Sequence, residues 1–279
     1  MSEPLVSTVP SMLYHYTTQV GLMGIVESKE IWATQIEYLN DGMELIYAFD
    51  LAMQVLYFYR DRPSADGTVI DDAQRLRIND LIDLLQGRPL ALRVFVASFS
   101  ENPDVLSQWR AYGRPGDAFS IGFPGAALVE AAQSAGWRFE PVVYAREVAF
   151  AMVETTMRPM LDSLASGRDG SDVRAEVQQL MFDLGPILKT PAFEEEREWR
   201  LISPPIDGPG RRFRPGKYSI IPYRAFALPG SEAIGGANAK IWIGPGPHRE
   251  LSIRSLSELL REYEMPCQLQ WSGASYRDW

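Results

Sequence analysis

Cysteine and histidine are scarce in this sequence, which has one Cys and two His among 279 residues. The single cysteine, Cys267, cannot form a disulfide within the chain, and no signal peptide is recognisable at its start, so we expect a cytoplasmic protein. Two His and one Cys are also too few for an ordinary zinc site. The sequence therefore predicts neither a disulfide framework nor a metal centre of this kind.

Long apolar runs and an excess of positive charge are missing as well. No stretch approaches the roughly 20 apolar residues that span a bilayer, and the longest apolar-rich segment, 45–59, is interrupted by Asp50 and Gln54. The net charge of −9 does not fit a protein that binds long nucleic acids regardless of sequence. We expect no membrane partner, whereas a pocket for one nucleotide is compatible with this composition.

The most informative segment lies near the start, where Leu-Tyr-His-Tyr-Thr at 13–17 is typical of a short strand. A small amphipathic helix is predicted directly after it, over 20–27. Tyr14, Tyr16 and Thr17 give the strand aromatic surface and hydroxyls, which can stack on a planar ring and bond ribose hydroxyls. For His15 alone, the common alternative is a half-buried imidazole that bonds a loop carbonyl.

Hydroxyls and an arginine follow in the middle of the chain. Ser98 and Ser100 end a strand predicted over 92–99, so their hydroxyls are expected to point to the same side. Arg110 lies in a helix predicted over 104–112, and a guanidinium at a pocket edge suits a pyrophosphate. Trp109 of the same helix is predicted to belong to the core.

An acidic run at 194–198 leads into an apolar segment. We predict a strand over 196–203, in which Glu194, Glu196 and Glu198 would share one face if the strand extends back over the run. Glu194 and Glu195 fit a solvated edge. Glu198 is the candidate for chemistry, because it runs directly into Trp199 and because clustered carboxylates raise one another's pKa.

The pattern of predicted elements indicates a mixed α+β protein. Residues 138–150 predict one or two strands, 151–189 predicts helices, and the last third predicts mainly strands, one of them over 217–221. The simplest organisation is a single domain over 12–279 with a helical insertion near 151–189.

Taken together, these segments resemble a bacterial family that is catalogued only as a domain of unknown function. Its marks are Tyr-His-Tyr-Thr, Leu-Asn-Asp-x-x-Glu, Ser-Phe-Ser-x-x-x-Asp-x-Leu-x-x-Trp and Glu-x-Glu-Trp-Arg, which stand here at 14–17, 39–44, 98–109 and 196–200. The opening segment also resembles that of ADP-ribosyltransferases, including bacterial toxins that modify DNA.

The second resemblance implies a mostly antiparallel split sheet of ADP-ribosyltransferase type with helical insertions, and NAD as the substrate. It implies His15 as the first catalytic residue and Glu198 as the last, with the middle position open between Thr34 and the pair Ser98 and Ser100. The further residues expected to bind NAD are Tyr14, Tyr16, Thr17 and Arg110. It also implies a toxin or defence effector, and leaves the acceptor open between protein, DNA, RNA and water.

Two other functions compete with this interpretation. Asp41, Glu44, Glu196 and Glu198 could hold Mg²⁺ in a nuclease or phosphoesterase, although no lysine stands beside the acidic strand. The chain could also be a module that binds a nucleotide without turning it over.

Overall fold

The computed structural model describes residues 8–39, 44–61, 72–87, 92–113, 117–166, 170–205, 209–228 and 239–274. These residues divide into two compact units. The first is built from the described parts of 1–35, 95–141 and 194–279, and the second from those of 36–94 and 142–193.

All strands of the described residues belong to the first unit. They are β1 (Met12–Thr18), β2 (Glu30–Gln35), β3 (Phe95–Ser100), β4 (Ala118–Pro124), β5 (Arg138–Pro141), β6 (Glu198–Ile202), β7 (Arg212–Pro215), β8 (Ile220–Ala227), β9 (Lys240–Ile243) and β10 (Gln268–Trp271).

The helices are shared between the units. They are α1 (Gln19–Ser28), α2 (Glu44–Asp61), α3 (Asp72–Gly87), α4 (Leu106–Tyr112), α5 (Gly125–Ser134), α6 (Arg146–Ala165), α7 (Gly170–Leu184) and α8 (Arg249–Glu262). The first unit contains α1, α4, α5 and α8, and the second contains α2, α3, α6 and α7. None of the helices described here is both long enough and apolar enough to cross a membrane.

The strands form one sheet in the order β10-β9-β4-β1-β3-β2-β8-β7, with β6 paired to β3 and to β5. Every pairing is antiparallel except that of β9 with β10. The long segments that separate β2 from β3 and β5 from β6 build the second unit. The helical unit is thus inserted into the sheet protein at two points.

The sheet splits at β3. Ser100 pairs with Tyr14 of β1 and, on its other side, with Glu198 of β6, while Val96 pairs with Thr34 of β2 and again with β6. Because β6 occupies one edge of β3 over its length, β1 and β2 must share the other edge, at opposite ends of the strand. The middle of that edge is the point where the two halves of the sheet diverge.

The two faces of the sheet differ in chemistry because side chains alternate along a strand. One face, called the core face below, buries apolar side chains such as Leu13, Phe99 and Trp199 against α1, α5 and α8. Each large apolar side chain buried in this way contributes about 1.5–3 kcal/mol. The opposite face, called the polar face below, carries Tyr14, Tyr16, Thr34, Ser98, Ser100, Glu198, Arg200, Arg214 and Tyr223.

The second unit has its own core between α2, α3, α6 and α7. In α6 the buried residues Ala149, Val153 and Met157 follow one another at intervals of four, which keeps them on one side of the helix. Arg146 at the start of α6 donates to Gln54 of α2 over 2.8 Å.

The predicted α+β class, with a mostly antiparallel split sheet and helical insertions, is confirmed. The single domain over 12–279 stays a prediction. The predicted insertion near 151–189 lies in the second unit, together with helices from 44–87.

Three predicted strands are wrong in part. Within 138–150 only β5 is a strand, because the four-residue spacing of buried side chains begins α6 at Arg146. Residues 194–196 of the acidic run form the last part of a 3-10 helix, Pro191–Glu196, whereas Glu198 begins β6. Glu194 and Glu196 therefore do not share a strand face with Glu198. Consecutive glutamates have low strand propensity. Residues 217–219 turn between β7 and β8, closed by a bond from the Gly216 amide to the Ser219 carbonyl.

Candidate functional site

Three neighbouring strands bring Tyr14, Ser100 and Glu198 into one row on the polar face. Ser100 is the direct partner of both other residues, in β1 and in β6. Side chains at such paired positions are about 5 Å apart between Cβ atoms, and two strand spacings separate the ends of the row by about 10 Å. The row lies at the end of β3 where β1 joins it, beside the split.

Glu198 forms a buried ion pair with Arg200. Its Oε1 accepts from Nε over 2.8 Å and its Oε2 from Nη2 over 3.0 Å, and the exposed fractions of the two residues are 5% and 1%. Because the two residues are two apart in β6, they project from the same face and pair within one strand. The guanidinium thus holds the carboxylate in a fixed orientation through two charge-assisted bonds.

The entry into β6 is also held tightly. Arg197 has a φ of 41°, in the left-handed region that residues with a Cβ rarely adopt, and its carbonyl accepts from the Glu101 amide over 3.1 Å. The Ser100 hydroxyl donates to the Glu196 carbonyl over 2.6 Å and accepts from the Asn102 amide over 3.1 Å. These contacts fix the point at which the acidic run stops and the strand with Glu198 begins.

His15 lies on the core face and does not share the row of Glu198. Its ring is 5.5 Å from that of Phe99, and its Nδ1 is 2.9 Å from the Ser98 carbonyl, to which it donates when the proton is on Nδ1. This carbonyl stands in the part of the β3 edge between β1 and β2. Burial lowers the pKa of His15, and the hydrogen bond to Ser98 opposes that shift. The imidazole thus satisfies a backbone carbonyl at the split, while its role toward ribose stays a prediction.

Tyr16 is committed to the packing of α4. Its hydroxyl donates to the Asn102 carbonyl and accepts from the Val105 amide, each over 2.9 Å, and its ring packs edge-on against Trp109 at 4.8 Å. Trp109 is buried, as predicted, and its indole donates to Asp104 over 2.7 Å. Asp104 and Trp109, which belong to the motif at 98–109, therefore help to hold α4 against the polar face. Burial also raises the pKa of Tyr16.

The candidates for the middle position differ in what their hydroxyls already bind. Thr34 accepts from Nη2 of Arg214 over 3.0 Å, and Ser100 is bonded as described above. Ser98 is half-buried opposite Arg200 on the polar face, and its hydroxyl has no hydrogen-bond partner in the described part of the chain. Ser98 therefore offers a free hydroxyl next to the Glu198–Arg200 pair.

The other predicted nucleotide-binding residues occupy separate places. Tyr14 is buried over β4, where a Cβ at Gly122 would come within 2.9 Å of its ring. Thr17 is on the core face, with its Oγ1 against the backbone of Gly21 in α1. Arg110 is exposed on α4. The structure thus brings Tyr14, Ser98, Ser100 and Glu198 together on the polar face and places Thr17 apart from them.

Sequence reasoning missed Arg214, a half-buried arginine of β7 on the polar face. The signal that could have revealed it is the run Arg211-Arg212-Phe213-Arg214, which places three arginines within four residues of a chain of net charge −9. Burial lowers the pKa of Arg214.

The residues proposed for Mg²⁺ do not come together in what the structure describes. Asp41 and the side chain of Glu44 lie outside the described residues, and the described His, Cys, Asp and Glu side chains form no group of three or more that could hold a metal ion. Both carboxylate oxygens of Glu198 already accept from Arg200. The nuclease alternative stays a prediction.

Comparisons with known proteins give one family and one kind of solved structure. A family model described as "Protein of unknown function (DUF2971)" matches residues 108–201, about a third of the chain. The matched segment runs from the end of the central motif to β6 and includes Trp109, Glu198 and Arg200, whereas the Tyr-His-Tyr-Thr segment lies outside it. No curated protein matches the chain.

The chain is also similar to solved structures of DarT from Thermus sp. 2.9. For the complex of DarT with ADP-ribosylated ssDNA, the identity is 13% and the TM-score 0.34, and the match covers 96% of this chain and 97% of that chain. For the complex with NAD+, the identity is 12% and the TM-score again 0.34, with 97% of each chain covered.

Proposed function

We propose that the first unit is an ADP-ribosyltransferase-like enzyme that binds NAD at the split of its sheet and cleaves the bond between nicotinamide and ribose. The observation that carries this proposal is the row Tyr14–Ser100–Glu198, which places a phenol, a hydroxyl and a carboxylate side by side on the polar face. The segment that resembles the opening of ADP-ribosyltransferases supplies Tyr14 in β1, and the same resemblance implies Glu198 of β6 as the last catalytic residue.

In this proposal Glu198 carries most of the catalysis. When the glycosidic bond breaks, its electron pair leaves with the nicotinamide nitrogen and a positive charge develops on the ribose, as in glycoside cleavage. A carboxylate held beneath the ribose stabilises that charge, and it can accept a hydrogen bond from the 2′-hydroxyl. The acceptor then attacks C1 of the ribose and loses its own proton.

The other residues position the nucleotide. Ser98 is the proposed middle residue, because its hydroxyl has no hydrogen-bond partner within the described ranges and lies beside the Glu198–Arg200 pair. His15 acts as a positioning residue that holds the Ser98 carbonyl. Tyr14 gives the site an aromatic wall. The acceptor is proposed to be a protein or a nucleic acid.

A second candidate function is a module that binds a nucleotide without cleaving it. The Glu198–Arg200 pair favours this alternative, because both carboxylate oxygens are already bonded and the pair is nearly inaccessible. Catalysis requires this carboxylate, which is 5% exposed, to become accessible to the ribose. Structural and catalytic roles of Glu198 therefore make different predictions for turnover.

The test is nicotinamide release from NAD, measured with and without EDTA, by the native chain, by Glu198→Gln and by the matched control Glu195→Gln. Glu195 is an exposed carboxylate three residues away, outside the strand. We expect release that EDTA does not affect, with a loss on the order of 10²-fold or more in Glu198→Gln alone. All chains are compared at a temperature where circular dichroism shows them folded.

Equal release by Glu198→Gln and the native chain would contradict the mechanism. If calorimetry shows NAD binding but no chain releases nicotinamide with protein or nucleic-acid acceptors present, the binding module is the correct function. Release that EDTA abolishes would support metal-dependent chemistry instead.

A further inference from the structure

Arg214 is a cation on the polar face without an anionic partner in the described residues. Its Nη2 donates to Thr34 Oγ1 over 3.0 Å, and its Nε is inaccessible to solvent and has no hydrogen-bond partner among the residues that the structure describes. The groups that act on it electrostatically are the phenols of Tyr223 and Tyr112, and no carboxylate is among them. Nothing described here balances the charge of this guanidinium.

Two other arginines of the polar face, Arg200 and Arg212, differ from Arg214 because each has a carboxylate partner. Arg200 is bonded by both oxygens of Glu198, and Arg212, two residues before Arg214 in β7, donates to Glu30 over 2.8 Å. Arg212 is also exposed, so water screens its charge, whereas Arg214 is half-buried. Taking an arginine out of water without an acceptor for its Nε–H is unfavourable. An anionic ligand would remove that cost.

A flat aromatic surface lies beside Arg214 on the polar face. Trp32 of β2 stacks on Tyr223 of β8 with ring centroids 4.5 Å apart, and 39% of Trp32 is exposed. Arg212 and Tyr223 are direct partners in the sheet, and Thr34 is the partner of Tyr223 on its other side. A cation, a hydroxyl and an exposed indole thus occur within three adjacent strands.

We propose that Arg214, together with Thr34, binds the diphosphate of a nucleotide, with Trp32 available to stack on its planar ring. A guanidinium offers several N–H donors in one plane, which suits the oxygens of a phosphate. The diphosphate is thus assigned to Arg214 of β7, whereas the sequence analysis had suggested Arg110 of α4. It deepens the proposed function and rests on it in one respect, since it takes the diphosphate to be that of the nucleotide substrate.

The test is calorimetric titration with ADP, inorganic pyrophosphate and adenosine, which requires no turnover. Arg214→Met removes the charge and keeps the length of the side chain, Arg214→Lys keeps the charge, and Arg212→Met is the matched control on the same strand and face. We expect Arg214→Met to weaken ADP and pyrophosphate about tenfold or more, Arg214→Lys to lose less, and Arg212→Met to bind as the native chain does. Adenosine should bind equally to all four chains.

Thermal unfolding separates ligand binding from a structural role. Without a ligand, Arg214→Met should unfold at the same temperature as the native chain or higher, because the substitution removes an uncompensated charge. The rise in unfolding temperature that ADP gives the native chain should be lost. Equal ADP affinity in Arg214→Met, or a fall in its unfolding temperature without ligand, would overturn the assignment.

A further titration, with a single-stranded oligonucleotide, tells whether the phosphate that Arg214 binds belongs to a nucleotide or to a nucleic-acid backbone. If Arg214→Met and Arg212→Met weaken a single-stranded oligonucleotide equally while ADP binding is unchanged, the cations of β7 bind a nucleic-acid backbone and the nucleotide assignment is wrong. Failure of the proposed cleavage would instead appear as absent nicotinamide release while ADP binding still depends on Arg214.

Discussion

The two faces of the sheet use neighbouring residues of β1 for different purposes. On the core face, His15 bonds a backbone carbonyl at the split and packs beside Phe99. On the polar face, Tyr14 stands in a row with Ser100 and Glu198. His15, one of only two histidines in the sequence, thus makes a structural contact. The candidate site is formed instead by the row Tyr14–Ser100–Glu198 on the polar face.

The polar face also contains two arginines in contrasting states. Arg200 is fully buried and paired, whereas Arg214 is half-buried with no carboxylate partner among the described residues. A buried pair is costly to break, and an unpaired cation costs stability as it stands. The charge of an arginine therefore does not by itself identify a binding residue; whether a carboxylate already neutralises that charge does.

The largest expected effect comes from breaking the buried pair. Glu198→Gln leaves the Arg200 guanidinium facing a neutral amide, so we expect the free energy of unfolding to fall by about 3–5 kcal/mol. The double variant Glu198→Gln/Arg200→Met should recover most of this loss, because it removes both charges. Urea denaturation of the native chain, both single variants and the double variant measures this coupling. Additive losses without recovery would show that the two side chains are not coupled.

A smaller effect is expected from His15 and depends on pH. Burial holds the folded-state pKa of His15 below its unfolded value of about 6.5, so the unfolded chain binds a proton first as the pH falls. The free energy of unfolding should therefore be highest above pH 7 and fall below about 6.5, by at most about 1.4 kcal/mol per pH unit from this group. His15→Asn keeps a donor for the Ser98 carbonyl and does not titrate.

The measurement for His15 is the difference in unfolding free energy between His15→Asn and the native chain from pH 5 to 8. Taking the difference cancels the contribution of the carboxylates, which titrate in both chains. The free energy of unfolding of the variant should rise relative to that of the native chain as the pH falls. A pH-independent difference would mean that His15 has the same pKa folded and unfolded, and is exposed rather than buried at the split.

Much of the fold near the site could be predicted from short-range patterns. The aromatic and β-branched run of β1, the amphipathic pattern of α1 and the apolar run of β3 are local signals, and the three elements lie within three residues of the expected bounds. The split sheet was expected from the resemblance of the opening segment to ADP-ribosyltransferases. Local patterns failed where they were ambiguous, as in the acidic run before Glu198, whose residues form a 3-10 helix.

The arrangement of the site could be predicted only in part. Glu198 and the serines were identified because they end or begin strands next to apolar residues. The sequence could not show which of the candidate hydroxyls lacks a hydrogen-bond partner among the described residues. That depends on contacts between residues far apart in the sequence, such as Ser100 with Glu196 and Thr34 with Arg214. For the same reason no local pattern could show that Arg214 lacks a carboxylate partner within the described residues.

The most direct test of the account is a crystal structure of Glu198→Gln with NAD bound, since the substitution is expected to keep the substrate intact. We predict that the nicotinamide–ribose bond lies on the polar face at the split, with the ribose within about 3 Å of the side chain at position 198. NAD bound on another surface, without contact to that face, would contradict the central claim.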